Sequence, residues 1–219
     1  MKKFILILLL GASAISQAQR SYKTNSVLNT GKWAKIGVTA DGIYKIDVAL
    51  LNTLGFTNTN IPSSSIQVFG NGGAMLPENN ATNRIDDLFE NAIWMDDGGD
   101  GIFDGNDYAL FYTGGPHQWR YDTAFFYQKN LYTDTAYYFI TLGANGKRIS
   151  TNSNSGIPNY ISNSYTDLFV YEPTNINLLN SGKQWVGDVF TNSFGGITSR
   201  NYPINWPGLL NTEPTIIKN

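Results

Sequence analysis

The sequence predicts a mainly β protein: a sandwich or barrel-like N-terminal domain with one short helix, followed by the start of a second β-rich unit. Three observations carry that prediction. Short apolar runs recur with period-two alternation, clusters of Gly, Asn and Asp separate them, and the chain is rich in Tyr, Phe and Trp but poor in charge. Alternation with frequent turn residues is the pattern of half-buried strands, and low charge with abundant aromatics marks a folded chain.

The elements follow in order. Residues 1–18 read as a cleaved export signal: Lys2 and Lys3 form a basic start, Phe4 to Leu10 an apolar core, and Ser16-Gln17-Ala18 a small-residue exit. The apolar run is too short to span a bilayer, and no later stretch approaches the roughly 20 apolar residues a spanning helix needs. No Cys is available for lipid attachment. Residues 19–30 read as a flexible polar lead.

An N-terminal β-rich domain is expected over residues 31–149. Ala34, Ile36 and Val38 share one face of a first strand; Asp41-Gly42 is a pair favoured in tight hairpin turns, and Ile43 to Ile46 returns as a second strand. Asp47 is placed to cap a helix over Val48 to Leu54, which Gly55 would end in the left-handed region. Ile61 to Ser65 reads as a turn, Ile66 to Phe69 as a strand, and Gly70-Asn71-Gly72-Gly73 as a break. Ile85 to Met95 fits a strand or a short helix. Tyr108 to Tyr112 reads as a buried strand, Trp119 to Tyr127 and Ala136 to Leu142 as aromatic-rich strands, and Asn145-Gly146 as a turn. Residues 150–164, rich in Ser and Asn, read as a linker. Strands are expected again at Tyr165 to Glu172, Gln184 to Phe190 and Ser199 to Ile204, so residues 165–219 read as a second β-rich domain that is cut short.

Composition narrows the function. Loss of the leader removes Lys2 and Lys3 and leaves 13 basic against 17 acidic residues, a net charge of −4. A mildly acidic chain does not suit nucleic acid, which selects basic surfaces. With no cysteine there are no disulfides, and a cysteine hydrolase is impossible within these residues. A serine triad would have to use His117, the only histidine, which follows Gly-Gly-Pro in an apparent loop and reads as an exposed side chain. Asp86-Asp87 and Asp96-Asp97 are neighbours whose carboxylates need not converge for glycoside hydrolysis. The five tryptophans read as core residues, with a sugar-binding groove as the other use for them.

The strongest site candidate is the stretch Asp96 to Asp107. In a twelve-position calcium loop Asp96, Asp100 and Asp104 fall at positions one, five and nine, Gly101 at the turning position and Asp107 at the closing one, with the Ile102 carbonyl at position seven. Gly98 leaves position three without a side-chain ligand, and Asp is shorter than the usual closing Glu. Asp, Asn and Gly are also what solvated turns use. An oxygen-only ligand set would select Ca2+ over zinc or copper.

Several ordered blocks resemble one family. Gly31-Lys32-Trp33-Ala34-Lys35-Ile36-Gly37-Val38 with Asp41-Gly42-Ile43-Tyr44-Lys45-Ile46 is similar to the start of the PorU family of type IX secretion system sortases, gingipain-like cysteine peptidases of the C25 class. Gln67-Val68-Phe69-Gly70-Asn71-Gly72-Gly73, the stretch from Asp86 through the acidic loop to Tyr112, Tyr137-Tyr138-Phe139 and Gly146-Lys147-Arg148-Ile149 fit the same family. Asn177-Leu178-Leu179, Ser181-Gly182-Lys183-Gln184-Trp185 and Gly187-Asp188-Val189-Phe190 extend the resemblance past the linker. It implies a protein exported to the surface of a Gram-negative bacterium of the Bacteroidetes. There the family removes C-terminal sorting signals from secreted cargo and helps attach that cargo to lipopolysaccharide, beside an outer-membrane barrel partner. The family's catalytic Cys and His lie further along its chain and match nothing here, so this segment is expected to be inactive alone. Asp122-Thr123-Ala124 and Asp134-Thr135-Ala136 resemble the short O-glycosylation signal of exported proteins of that phylum. The alternative reading is a secreted calcium-stabilised adhesin or carbohydrate-binding module.

Overall fold

Strand β1 (Trp33–Val38) buries Ala34 and Val38 on the face the period-two pattern predicts, and β2 (Gly42–Asp47) buries Ile46. The two do not pair with each other, which corrects the predicted hairpin. In this computed structural model, which describes residues 22–151, 156, 160–180, 182, 184–210, 212 and 214–216, β1 pairs antiparallel with β9 (Ala136–Leu142) and β2 pairs antiparallel with β6 (Tyr108–Thr113). A tight hairpin of the favoured type needs positive φ at both central residues. Neither Asp41 nor Gly42 adopts it. The chain instead crosses from one sheet to the other here, and the Asp41 carboxylate fixes the crossing by accepting the Gly115 N–H at 2.5 Å.

The first sheet has the order β1-β9-β3-β4, with β3 at Ile66–Phe69 and β4 at Glu90–Asn91; the second has the order β2-β6-β5, with β5 at Trp94–Asp96. All pairings are antiparallel. The sequence between β3 and β5, ambiguous between strand and helix, resolves into two short strands on different sheets, with Ile93 buried at the crossing. Ala34, Val38, Ile66, Val68, Ala136, Tyr138 and Ile140 from the first sheet meet Ile46, Ala109 and Phe111 from the second in one core. The Phe111 and Tyr138 rings lie 5.8 Å apart between the layers. The arrangement is a sandwich without barrel closure. Strand β6 is buried on one face only: Ala109, Phe111 and Thr113 point inward while Tyr112 is exposed.

Helix α1 (Val48–Thr53) forms as its caps predict. The Asp47 side chain accepts the Leu50 N–H, and Gly55 takes φ +87°. Gly55 N–H bonds Asn52 O and Phe56 N–H bonds Leu51 O, both at 2.9 Å, so the last carbonyls are satisfied while buried Leu51 and Phe56 close the end. The segment read as a single strand from Trp119 to Tyr127 is a hairpin, β7 (Gln118–Tyr121) and β8 (Phe125–Gln128), that joins neither sheet. Its tip, residues 122–124, supplies the tight reversal that the run of aromatics masks.

The chain divides into two compact units, Met1–Tyr165 and Thr166–Asn219. In the second, among the described residues, the predicted strands do not form ladders; one bridge pairs Ile176 with Val186. Phe169, Tyr171, Val189, Phe190 and Ile204 stay exposed, so those segments have no layer to pack against. Among the described residues no helix is long and apolar enough to cross a membrane. The export signal, residues 19–21 and residues 152–155 and 157–159 of the linker lie outside the described residues.

Candidate functional site

The acidic loop is the β5–β6 connection, opened by Asp96, which stands opposite Tyr108 in the ladder. Its four glycines, Gly98, Gly99, Gly101 and Gly105, all have positive φ, which lets the chain reverse twice in a short span. The carboxylates serve those reversals. Asp97 Oδ1 accepts Gly99 N–H at 3.1 Å, Asp100 Oδ1 accepts Ile102 N–H at 2.9 Å, and Asp107 Oδ2 accepts Asp104 N–H at 2.9 Å. Between the reversals the loop is pinned to the body. Ile102 bridges Pro62, Ser63 N–H bonds Gly101 O at 2.9 Å, and Phe103 N–H bonds Ile61 O at 2.7 Å. The Phe103 side chain is buried in the core.

That plug separates the predicted ligands. Asp97 and Asp100 share one turn, Asp104 and Asp107 the other, and Ile102 lies on the bridge between them. Among the described residues, no three side chains of His, Cys, Asp or Glu gather as a group that could hold a metal ion. The donor set is all hard oxygen, the chemistry that calcium selects.

Beneath the loop sits Arg148. Its guanidinium donates to Ser63 O at 2.5 Å, Ile66 O at 3.1 Å and Lys147 O at 3.0 Å. Burial lowers its pKa, and the charges of Glu90 and Asp97 oppose that shift. The Asp97 carboxyl is held below the usual carboxylate range, first by the Ser63 hydroxyl, then by the Gly99 N–H, with Arg148 adding attraction. The buried Ser63 hydroxyl lies near enough to bias that carboxyl yet reaches hydrogen-bonding geometry with no partner. Arg148 therefore already supplies positive charge on the Asp97 side of the loop.

A second carboxylate cluster, read in the sequence only as two neighbours, holds the N-terminal lead. Asp86 accepts the Lys23 N–H at 2.6 Å. Asp87 accepts the Ser26 hydroxyl at 2.8 Å and the Val27 N–H at 2.9 Å, and pairs with Lys23 at 3.6 Å. Asp87 titrates below its ordinary value chiefly because of the Ser26 hydroxyl, against the opposing effect of burial. The lead read as flexible thus carries a one-turn 3-10 helix, Val27–Asn29, capped by Ser26 and tied to Asp87. No sequence spacing signals this contact, because the partners lie about sixty positions apart.

His117 is not the exposed loop residue its neighbours suggest. Its Nδ1 accepts the Asn130 N–H at 2.9 Å, and its Nε2 meets Asp134 Oδ1 at 3.1 Å. Both nitrogens already have partners, Asn130 and Asp134, and neither partner is a nucleophilic side chain of the triad type. The paired carboxylates remain apart in function: Asp96 ends a strand while Asp97 makes a turn. None of the five tryptophans is buried, which corrects their reading as core residues; within the first unit Trp33, Trp94 and Trp119 lie on β1, β5 and β7, three strands of three different sheets. Of the two Asp-Thr-Ala tripeptides, one forms the exposed β7–β8 tip and the other carries Asp134 into β9. In the second unit Asp188 pairs with Arg200 and accepts the Tyr202 hydroxyl at 2.6 Å, which raises the Tyr202 pKa.

The fold and these clusters define a β-sandwich-like domain whose buried and half-buried charges brace loops and strand crossings. No protein-family model matches the chain, and no curated protein matches it. Among solved structures it is similar to the crystal structure of dimeric latent PorU from Porphyromonas gingivalis, with 28% sequence identity over 68% of this chain and a TM-score of 0.46. The chain covers 13% of that chain's length.

Proposed function

We propose that this chain is the N-terminal, non-catalytic region of a PorU-like type IX secretion sortase. In that reading the complete protein removes C-terminal sorting signals from exported cargo and helps attach the cargo at the outer membrane. This region supports the peptidase or docks its partners, among them the outer-membrane barrel component. One observation carries the reading: the resembling blocks coincide with the residues that build the sandwich. Gly31 to Val38 supplies β1, Asp41 to Ile46 the crossing and β2, and Gln67 to Gly73 the end of β3 with its glycine break. Asp107 to Tyr112 supplies β6, and Tyr137 to Phe139 the centre of β9. Ordered agreement at positions that set strand pairing and close packing is more specific than any single motif.

The same reading includes a calcium ion in the acidic loop, drawing on Asp96, Asp100, Asp104, Asp107 and the Ile102 carbonyl. It would act as a brace, and binding requires the two carboxylate-capped turns to rearrange toward each other. The test of the main reading is genetic. A reading frame that runs on past Asn219 into a segment carrying a His and a Cys nucleophile supports it; a stop codon directly after Asn219 favours the secreted adhesin or carbohydrate-binding module.

A further inference from the structure

The β7–β8 hairpin pairs with neither sheet, so what holds it is found at its base. The last ladder pair is Gln118 with Gln128. Just beyond it the next cross-strand bond is made by a side chain: His117 Nδ1 accepts the Asn130 backbone N–H at 2.9 Å. Asn130, itself buried, extends the tie, its amide donating to Gly73 O at 3.4 Å and its Oδ1 accepting the Tyr132 N–H at 3.0 Å. An Nδ1 that accepts must be unprotonated, so the ring proton sits on Nε2 and points to Asp134 Oδ1 at 3.1 Å.

We propose that His117 is a pH-sensitive latch that holds the base of this hairpin closed when neutral and releases it when protonated. Imidazole is the side chain whose ordinary titration falls between pH 5 and 8. Protonation places a second N–H on Nδ1, facing the Asn130 N–H, and two donors cannot share that position. The Asn130 bond is lost and the tie through Asn130 to Gly73 loosens with it. The Asp134 side chain beside Nε2 is 85% exposed and meets that nitrogen alone, so it does not restore the lost bond. The titratable side chains facing the ring are Asp134, before β9, and Tyr127 on β8, whose ring centre lies 6.2 Å away. From the loop after β3 the contact to this cluster is the uncharged Gly73 carbonyl. The charged groups beyond these are Lys129, which precedes Asn130, and Asp41, whose carboxylate accepts the Gly115 N–H. Release would free a hairpin that already exposes Tyr121, Phe125 and Phe126.

The test is amide exchange of the full chain followed by NMR from pH 8 to pH 5, with rates corrected to protection factors. Protection at the Asn130 amide is expected to fall about tenfold across the range, the size of one net hydrogen bond. His117→Asn, whose Oδ1 can accept in place of Nδ1 without titrating, is expected to keep that protection at every pH. Constant protection in the wild type overturns the latch, as does an equal fall in wild type and His117→Asn. If His117→Asn does not fold, His117→Gln, whose Oε1 can also accept without titrating, decides: a fall in its protection equal to the wild type's overturns the proposal.

Discussion

Gly70 ends β3 against the face of Tyr138, and its replacement by alanine tests how tightly the two sheets are joined. A Cβ built on Gly70 would lie 2.2 Å from Tyr138 Cδ1 and 2.6 Å from Cε1, whereas ordinary contact begins near 3.4 Å. The ring would have to retreat by more than an ångström. It cannot do so cheaply: Tyr138 is 1% exposed, its ring meets Phe111 at 5.8 Å, and its hydroxyl donates to Gly114 O at 3.1 Å. Overpacking of this kind costs roughly 1–3 kcal/mol, and the depth of the overlap puts Gly70→Ala near the upper end. Gly72→Ala is the control. It meets nothing within 4 Å but sits at φ +87°, so it carries only backbone strain of about 1 kcal/mol. Urea unfolding of both variants gives the comparison, and Tyr138→Leu adds a cycle: with the ring gone, Gly70→Ala should lose most of its cost. A Gly70→Ala midpoint equal to wild type, or a cost that Tyr138→Leu does not reduce, would refute the close-packing argument.

Burial, with the charge of Asp41, pushes the Tyr138 hydroxyl up to about 12 from an ordinary value of 10. Its contribution is fully present below pH 10 and is lost as pH rises toward 12, amounting to roughly 3 kcal/mol; Tyr138→Phe should flatten that part of the stability curve, and parallel curves would contradict this. Asp87 runs the other way. Its folded value is depressed, so its contribution is present above the ordinary aspartate range and lost as pH falls through the folded value. Asp87→Asn should speed exchange of the Val27 amide at neutral pH, and an unchanged rate would remove the clamp. For the acidic loop, calorimetry with Ca2+ should give heat with the wild type and markedly less with Asp100→Asn/Asp104→Asn, whereas equal heats remove the ion.

Local chemistry was readable where a few adjacent residues decide the outcome. Asp47 and Gly55 delimit α1 because caps act within one turn, and Asn145 takes φ 54° in the predicted Asn-Gly turn. The Asp41-Gly42 crossing was not readable, since a turn pair signals reversal but not which strand each arm will join. That choice belongs to β9 and β6, each more than sixty positions away. The acidic loop was visible as a cluster. Its division by the Phe103 plug was not, because the plug depends on Ile61 and Pro62 lying alongside. Arg148 and Asp87 escaped for the same reason: Ser63, Ile66, Ser26 and Val27 lie sixty or more positions away, where no spacing rule reaches. The tryptophans misled because a ring can pack at a sheet's margin, as Trp33 does against Phe69 at 5.1 Å, without entering the core.

The proposal at the centre of this account is that the sandwich supports a sorting peptidase encoded with it. In-frame deletion of the segment encoding residues 22–165 in the source cell, followed by mass spectrometry of exported cargo, addresses it most directly. The account predicts cargo that keeps its C-terminal sorting signal and fails to attach to the surface; cargo processed and attached as in the parent cell would contradict it.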